Sequence, residues 1–237
     1  VGGFRMIAGK KGFFDGKPEA FSMEESEHAY IIRSKEHEMI LQKETLEISI
    51  DRKAITNLKN ISFIFEKESV SASRIQFSIH ENSAIYGFGE RFDSVNQYGK
   101  TVALWQRDAC EGCLASIGNQ AYKNIPLVHT SDGFSFFANT SYRMRMDVGD
   151  AVQDYLSVEA LGDVFDFYIW SGTPREAMTA YGTLTGLPIF PPEWVFEPWA
   201  GGGGGRWRNG PLQDIALEQM AAMKKFHELD IPHSGFY

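Results

Sequence analysis

The stretch YRMRMDV, from Tyr142 to Val148, decides the fold class because its apolar and polar residues alternate strictly. The apolar residues occupy the even positions, while two arginines and an aspartate occupy the odd positions between them. Successive side chains of a β-strand point to opposite faces, so a period of two predicts a strand with one buried side. Burial on one side only is typical of antiparallel sheets.

The same period recurs on both sides of this stretch, between Ala29 and Trp170. The alternate apolar residues of each repeat, for example Ile61, Phe63 and Phe65, are expected to be buried. Many short strands separated by Gly, Asn, Asp and Ser predict an antiparallel β-sandwich or barrel. The clearest stretches are TLEISI (45–50), ISFIFEK (61–67), RIQFSI (74–79) and VFDFYIW (164–170).

A helix is predicted directly after Thr173, where the period changes. Thr173 is a suitable N-cap, Pro174 suits the first helical position, and Glu176 completes a capping box. Apolar residues then recur at helical spacing. Gly186 and Pro188 are expected to end the helix.

The connection LPIFPPEW (187–194) marks a domain boundary. Each proline fixes its own φ angle and restricts the residue before it, so the connection is stiff. The sequence therefore predicts a β-sandwich domain over residues 1–187. Residues 188–237 are predicted to form a linker and the start of a second domain.

The second domain begins with a different order of elements. A short apolar strand is predicted at WVFEPW (194–199), a glycine-rich loop at 200–210, a helix from Pro211, and a strand at IPHSGFY (231–237). Strand, loop, helix and strand form a βαβ unit, which starts a parallel sheet. One such unit cannot bury both faces of a parallel sheet. The chain is therefore expected to be the front part of a larger protein, cut off at Tyr237.

Composition excludes two classes of partner. The net charge is −8 and no run of Lys and Arg occurs, which argues against binding the phosphate backbone of a nucleic acid. No stretch of about 18 apolar residues is present, so no membrane span is expected. Aromatic residues make up 14% of the chain. That content suits either a β-rich core or the flat apolar faces of a sugar-binding site.

Two cysteines, Cys110 and Cys113, form a CEGC stretch. A CxxC pair suits a redox site or half of a zinc site, but no second pair exists, and His80 and His129 lack zinc-ligand spacing. The thiols are predicted to lie in a loop without a catalytic role. So few cysteines favour a reducing compartment. A cytoplasmic location is expected because no signal peptide is recognisable. Secretion stays the alternative, since the sequence begins at Val1 and not at Met, which leaves a missing leader open.

Between Ala84 and Tyr237, five motifs in order resemble the N-terminal region of glycoside hydrolase family 31. The resemblance is nearest to the bacterial α-xylosidase and α-glucosidase-like branches of that family. The motifs are YGFGERFDSVNQYGK (86–100), LWQRD (104–108), AYKNIPLVHTSDGFSFFANTS (121–141), SGTPREAMTAYGTLTGLPIFPPEW (171–194) and FHELDIPHSGFY (226–237).

The resemblance implies a mainly β fold. An antiparallel β-sandwich is followed by the first βαβ segment of a catalytic TIM barrel, with residues 211–229 as the first barrel helix. The resemblance also implies a retaining α-glycosidase that acts on α-linked glucosides, xylosides or oligosaccharides. A related transglycosylase and a non-catalytic carbohydrate-binding module are the alternatives. The implied partners are a carbohydrate substrate and the rest of the barrel; no cofactor or metal is expected, and a homo-oligomer is left open.

Retaining glycosidases use two carboxyl groups roughly 5 Å apart. No position in this chain matches either catalytic aspartate motif of the family, so no catalytic residue is assigned. Glu90, Arg91 and Asp93 would suit an acid–base site, but the resemblance implies that they belong to the scaffold of the sandwich. Asn96 and Gln97 suit either a turn or contacts with a ligand.

Substrate-binding residues are predicted at two places. The resemblance implies that Asp108 accepts hydrogen bonds from a sugar in the leaving-group subsite, with Arg107 orienting the carboxylate. A surface ion pair is the alternative for both residues. The neighbouring Trp105 is expected to pack against other residues instead of binding a ligand, and Tyr122 is expected to line the same loop.

The second place is the run of glycines at 201–205, followed by Arg206 and Trp207. A glycine loop before a helix suits an anion, but no Lys-Ser/Thr pair follows it, so it is not a P-loop. Loops that follow barrel strands open on the active-site face. Trp207 is therefore predicted to stack on a sugar, with Arg206 or Arg208 reaching its hydroxyl groups; a mobile loop is the alternative.

Overall fold

The structure is a computed structural model that describes residues 21–35, 37–51, 53–106, 121–162, 166–200 and 212–236. The chain forms two compact units, Val1–Gly186 and Leu187–Tyr237. The described part of the first unit contains the following elements: β1 (Ser22–Glu25), β2 (Ala29–Arg33), β3 (Glu38–Gln42), β4 (Glu47–Ile50), β5 (Lys53–Glu66), β6 (Ser69–Ser78), β7 (Ile85–Gly89), β8 (Lys100–Leu104), β9 (Asn124–Thr130), β10 (Phe134–Ala138), β11 (Met144–Val148), β12 (Tyr155–Leu161), β13 (Phe167–Ser171) and α1 (Pro174–Thr185).

These strands form two antiparallel sheets. The larger sheet has the order β1-β2-β3-β4-β5-β6-β12-β11-β8, and the smaller sheet has the order β13-β10-β9-β7. Neighbouring strands within both sheets pair antiparallel, as in the hairpin that sets Met146 of β11 opposite Val158 of β12. The mainly β, antiparallel architecture predicted from the period of two is confirmed.

One hydrophobic core lies between the two sheets. Phe77 of the larger sheet is fully buried, and its ring centroid lies 5.0 Å from that of Phe136 and 6.0 Å from that of Phe167, both in the smaller sheet. Packing of two inner faces in this way is the arrangement of a β-sandwich. The predicted stripes of β4, β6 and β11 contribute to this core through the residues Ile48, Ile75, Phe77, Ile79, Met144, Met146 and Val148.

The predicted burial of the stripe on β5 is wrong. Ile61, Phe63 and Phe65 form part of the strand, but 51%, 49% and 63% of their surfaces are exposed. Ile61 lies opposite the buried Ile75 of β6 and therefore shares its side of the sheet. The reason for the exposure is position, because β4 pairs only with the first part of β5. Beyond Asn57, β6 is the one paired neighbour of β5 among the described residues, and none of the three side chains belongs to the core between the sheets.

Helix α1 begins at the predicted capping box. The Thr173 hydroxyl accepts a hydrogen bond from the backbone N–H of Glu176, and the Glu176 carboxylate accepts one from the backbone of Thr173. The helix packs Leu184 and Tyr181 against the outer face of the smaller sheet. The ring of Tyr181 meets that of Phe137 edge-on, with centroids 5.1 Å apart.

In the second unit, β14 (Trp199–Ala200), α2 (Leu212–Glu228) and β15 (Gly235–Phe236) follow one another, and the two short strands pair in parallel. This connectivity is that of a βαβ unit. The prediction of a strand throughout 194–199 is wrong, since Glu193–Phe196 form a turn of 3₁₀-helix. Pro192 starts that turn by accepting a hydrogen bond from the backbone N–H of Val195.

Candidate functional site

Two glycines of the GFGERFD stretch let β7 lie close to β9. Gly87 and Gly89 have φ angles of +111° and +84°. A Cβ atom at Gly87 would lie 2.2 Å from the carbonyl oxygen of Leu127, and one at Gly89 would lie 2.0 Å from that of Lys123. Only glycine combines these φ angles with so close a backbone approach.

The turn after β7 is closed by amide side chains. Oδ1 of Asn96 accepts hydrogen bonds from the backbone N–H groups of Ile85, at 2.9 Å, and Tyr98, at 3.1 Å. Gln97 is only 2% exposed, and its Nε2 donates to the side chain of Asp93 and to the carbonyl oxygen of Ser94. Both residues thus have the turn role that was one of the two alternatives.

Asp93 is the acceptor at the centre of this turn. Burial alone would raise the pKa of Asp93, but the Lys100 ammonium at 2.7 Å, the Gln97 amide and the backbone N–H of Ser94 together lower that pKa to about 2. A carboxyl group with such a pKa stays ionised and cannot supply a proton near neutral pH. Asp93 is therefore a structural acceptor in this turn.

Arg91 connects the same stretch to the neighbouring strands. Its Nη2 donates to Oδ1 of Asn124 at 2.5 Å and to the carbonyl oxygen of Ala103 at 3.2 Å. Burial lowers the pKa of Arg91, an effect that the charge of Asp93 partly offsets. The guanidinium remains charged because the ordinary pKa of arginine is so high. Glu90, by contrast, lies 3.7 Å from the ammonium of Lys123 at the surface.

Asn124 also forms hydrogen bonds with Gln106, which lies just beyond the end of β8. Oε1 of Gln106 accepts hydrogen bonds from the backbone N–H of Asn124, at 3.0 Å, and from its Nδ2, at 2.5 Å. Nδ2 also donates to the carbonyl oxygen of Ala121 at 2.9 Å, and Gln106 and Ala121 form an isolated β-bridge. The two residues that flank segment 107–120 are therefore held side by side by a polar chain that starts at Arg91.

A cleft of about 280 Å³ lies beside this chain. Trp105 is 53% exposed there, so about half of its surface is not packed against other residues. Tyr122 is exposed to the same extent. The described residues that line the cleft are Leu104, Trp105, Gln106, Asn124, Pro126, Thr140, Ser141, Tyr142 and Met144.

The described residues include no group of three or more His, Cys, Asp and Glu side chains placed to hold a metal ion. None of the helices in that part of the chain is long and apolar enough to cross a membrane.

A family model described as the Glycosyl hydrolase 31 N-terminal galactose mutarotase-like domain matches residues 13–147. That span is more than half of the 237 residues. The chain belongs to glycoside hydrolase family 31. The resemblance carried by the five motifs is thereby confirmed.

Curated family 31 relatives match the chain over part of their length. The α-xylosidase XylQ of Lactiplantibacillus pentosus is 34% identical over 131 residues, which cover 55% of this chain and 16% of that protein. Alpha-glucosidase 2 of Bacillus thermoamyloliquefaciens is 24% identical over 224 residues, which cover 91% of this chain and 27% of that protein. The chain thus spans less than a third of the length of either relative.

Solved structures of family 31 enzymes share the fold. A cycloalternan-forming enzyme from Listeria monocytogenes, in complex with a pentasaccharide substrate, gives a TM-score of 0.73 at 20% identity and covers 96% of this chain and 22% of its own. A dextranase from Flavobacterium johnsoniae, complexed with isomaltotriose, gives a TM-score of 0.66 at 23% identity. The match covers 98% of this chain and 27% of the dextranase chain. At such identities the likeness shows the fold alone.

The site residues predicted in this family 31 chain lie outside the described residues. They are Arg107, Asp108, Arg206 and Trp207, and the same holds for Cys110 and Cys113. The sequence pattern did not indicate a role for Gln106 or Asn124. Their positions in the sequence could have pointed to them. Gln106 directly precedes Arg107, and Asn124 lies among polar residues just after segment 107–120.

Proposed function

We propose that this chain is the N-terminal sandwich and the first barrel segment of a retaining α-glycosidase. The enzyme acts on α-linked glucosides, xylosides or oligosaccharides. The observation that carries the proposal is the match of residues 13–147 to the family 31 N-terminal domain. The 34% identity to an α-xylosidase supports the choice of substrate class.

The sandwich shapes the subsite for the leaving group. Arg107 and Asp108 follow directly on Gln106, which is held by Asn124 and, through it, by Arg91. The Asp108 carboxylate accepts hydrogen bonds from sugar hydroxyl groups, and the Arg107 guanidinium orients it.

The second unit contains the other predicted substrate-binding residues. Its strand–helix–strand order with parallel pairing supports a barrel beginning at β14. In such barrels the segment between a strand and the next helix lies at the active-site face. The glycine-rich segment between β14 and α2 contains Arg206 and Trp207. Trp207 stacks on the sugar of the leaving group, and Arg206 donates to its hydroxyl groups.

The chemistry belongs to residues outside these motifs. In a retaining enzyme one carboxylate attacks the anomeric carbon while a second carboxylic acid protonates the leaving oxygen. The second group, now a carboxylate, then takes a proton from the water that hydrolyses the intermediate. Asp93, with a pKa of about 2, is unsuited to the acid role. The residues of this chain bind and orient the substrate.

The full-length protein, assayed on a panel of aryl α-glycosides, tests the proposal. We expect turnover of an α-glucoside or α-xyloside, with the first product released as the α-anomer in the NMR spectrum. Release of the β-anomer, or turnover of β-glycosides alone, would contradict the proposal. Analysis of products formed at high sugar concentration separates hydrolysis from transfer to another sugar.

A further inference from the structure

The cleft beside Gln106 has no role in the function proposed above. It is formed by the end of β8, by Asn124 and Pro126 of β9, and by the connection that leads into β11. All of these described elements belong to the first unit. Its volume of about 280 Å³ is near the lower end of the range for small-molecule sites, roughly 300–1,000 Å³. A short saccharide fits that volume better than a long polymer.

The lining of the cleft is uncharged. None of its nine described residues is Asp, Glu, Lys, Arg or His, although charged residues make up 23% of the chain. A charged ligand would therefore find no counter-charge among these residues. Two aromatic rings, those of Trp105 and Tyr142, are combined with side-chain amides and hydroxyl groups. This combination matches a neutral ligand with an apolar face and many hydroxyl groups, which is the chemistry of a sugar ring.

Hydrogen bonds orient the polar groups of the lining. Oε1 of Gln106 accepts two hydrogen bonds from Asn124, which fixes the plane of the amide. Nε2 of Gln106 then has two N–H donors, and no acceptor for them is found among the described residues. The Thr140 hydroxyl accepts from the backbone N–H of Tyr142 at 3.2 Å, and its own hydrogen has no acceptor among the described residues. The indole N–H of Trp105 adds another donor.

The cleft is also close in sequence to a residue predicted to bind substrate. Gln106 lines the cleft, and Asp108 follows it by two residues, a separation of at most about 7 Å along the backbone. We propose that this cleft is a distal subsite that binds one sugar of an oligosaccharide substrate, stacked on Trp105. This inference rests on the proposed function and extends it from one leaving-group sugar to the next.

A distal subsite makes activity depend on substrate length. The full-length wild type should show kcat/KM values that rise with length along α-1,4- and α-1,6-linked gluco-oligosaccharides. Trp105→Ala should reduce kcat/KM on the longer members about three- to tenfold, the range expected for a lost aromatic stacking contact. The same variant should leave an aryl α-glycoside unaffected, because that substrate does not reach the cleft. Trp105→Phe should restore most of the loss.

Phe92→Ala is the matched control, because Phe92 is also 53% exposed and lies outside the cleft. The inference would be overturned if kcat/KM still rose with substrate length in Trp105→Ala, or if the rise disappeared equally in Phe92→Ala. Turnover of aryl α-glycosides would still support the proposed function in either case. If no glycoside is turned over, calorimetric titration with the same saccharides decides. Binding that weakens in Trp105→Ala but not in Phe92→Ala then supports a sugar site in the cleft without supporting the proposed function. Absence of binding overturns the sugar site.

Discussion

Arg91 donates a hydrogen bond to the side chain of Asn124 across 33 positions of sequence, with 2.5 Å between Nη2 and Oδ1. Asn124 in turn donates to Gln106 and to the carbonyl oxygen of Ala121. These contacts join the GFGERFD stretch to both ends of segment 107–120. The stretch thus acts on the candidate site indirectly, by fixing the residues from which that segment begins and ends.

Asn124→Ala should lower both stability and activity. The substitution removes one of the acceptors of a partly buried guanidinium, and a hydrogen bond to a charged group is worth about 1.5–3 kcal/mol. We expect a clear decrease in melting temperature, together with a several-fold decrease in kcat/KM on oligosaccharides. The exposed Asn60 of β5 provides the control, since Asn60→Ala should change neither value. A decrease in melting temperature with unchanged kinetics would show that this hydrogen-bond chain does not position the substrate.

Gly87→Ala should be far more destabilising than Gly99→Ala. Both glycines have positive φ angles, +111° and +79°, but only the added Cβ at position 87 meets the backbone, 2.2 Å from an oxygen of Leu127. Nothing lies within 4 Å of a Cβ at position 99. Gly99→Ala should therefore cost only the backbone strain, roughly 1–2 kcal/mol. Chemical denaturation of both variants measures the difference, and equal losses would mean that β7 can move away from β9.

Asp93→Asn should destabilise the protein in a pH-dependent way. The pKa of Asp93 is lowered from 3.8 to about 2 in the folded state. A lowered folded-state pKa means that the ionised group stabilises the fold above pH 3.8, and that this contribution is lost as the pH falls toward 2. The gap in melting temperature between wild type and variant should be constant above about pH 5 and close between pH 4 and 2. The exposed Asp154, substituted in the same way, is the control; an equal response would assign the effect to net charge.

The period of the sequence predicted which residues form strands more reliably than which residues are buried. Ile75 and Ile61 lie opposite each other on adjacent strands, and both belong to an alternating apolar pattern. One is 2% exposed and the other 51%. Alternation states that two faces differ, but it does not state how far the opposing sheet extends. The capping box at Thr173 was predicted correctly, because it depends only on residues three positions apart in the sequence.

The parts of the site that were missed depend on long-range contacts. Asn124 is 33 positions from Arg91 and 18 from Gln106, and no local pattern pairs these residues. The close approach of β7 to β9 at Gly87 and Gly89 likewise brings together residues that are far apart in sequence. The strand predicted at 194–199 failed because apolar residues after two prolines suit a 3₁₀ turn as well as a strand.

Trp207→Ala should weaken binding of substrates with an extended leaving group. Stacking on an aromatic ring contributes roughly 0.5–1.5 kcal/mol beyond the burial of area. We expect kcat/KM on a disaccharide to decrease several-fold, with a smaller decrease on an aryl glycoside that has a small leaving group. Steady-state kinetics of the full-length variant measures both values. Equal losses on both substrates would assign Trp207 a structural role.

Asp108→Asn in the full-length enzyme tests the central claim most directly. The claim is that the sandwich presents a carboxylate to the substrate. Glu90→Gln is the charge-matched control, because Glu90 forms only a weak surface ion pair of 3.7 Å with Lys123. Loss of a charge-assisted hydrogen bond should reduce kcat/KM on oligosaccharides about ten- to a hundredfold. We predict this loss for Asp108→Asn alone, with the melting temperature unchanged. A lower melting temperature with normal kinetics would contradict the claim and place Asp108 among the residues that only stabilise the sandwich.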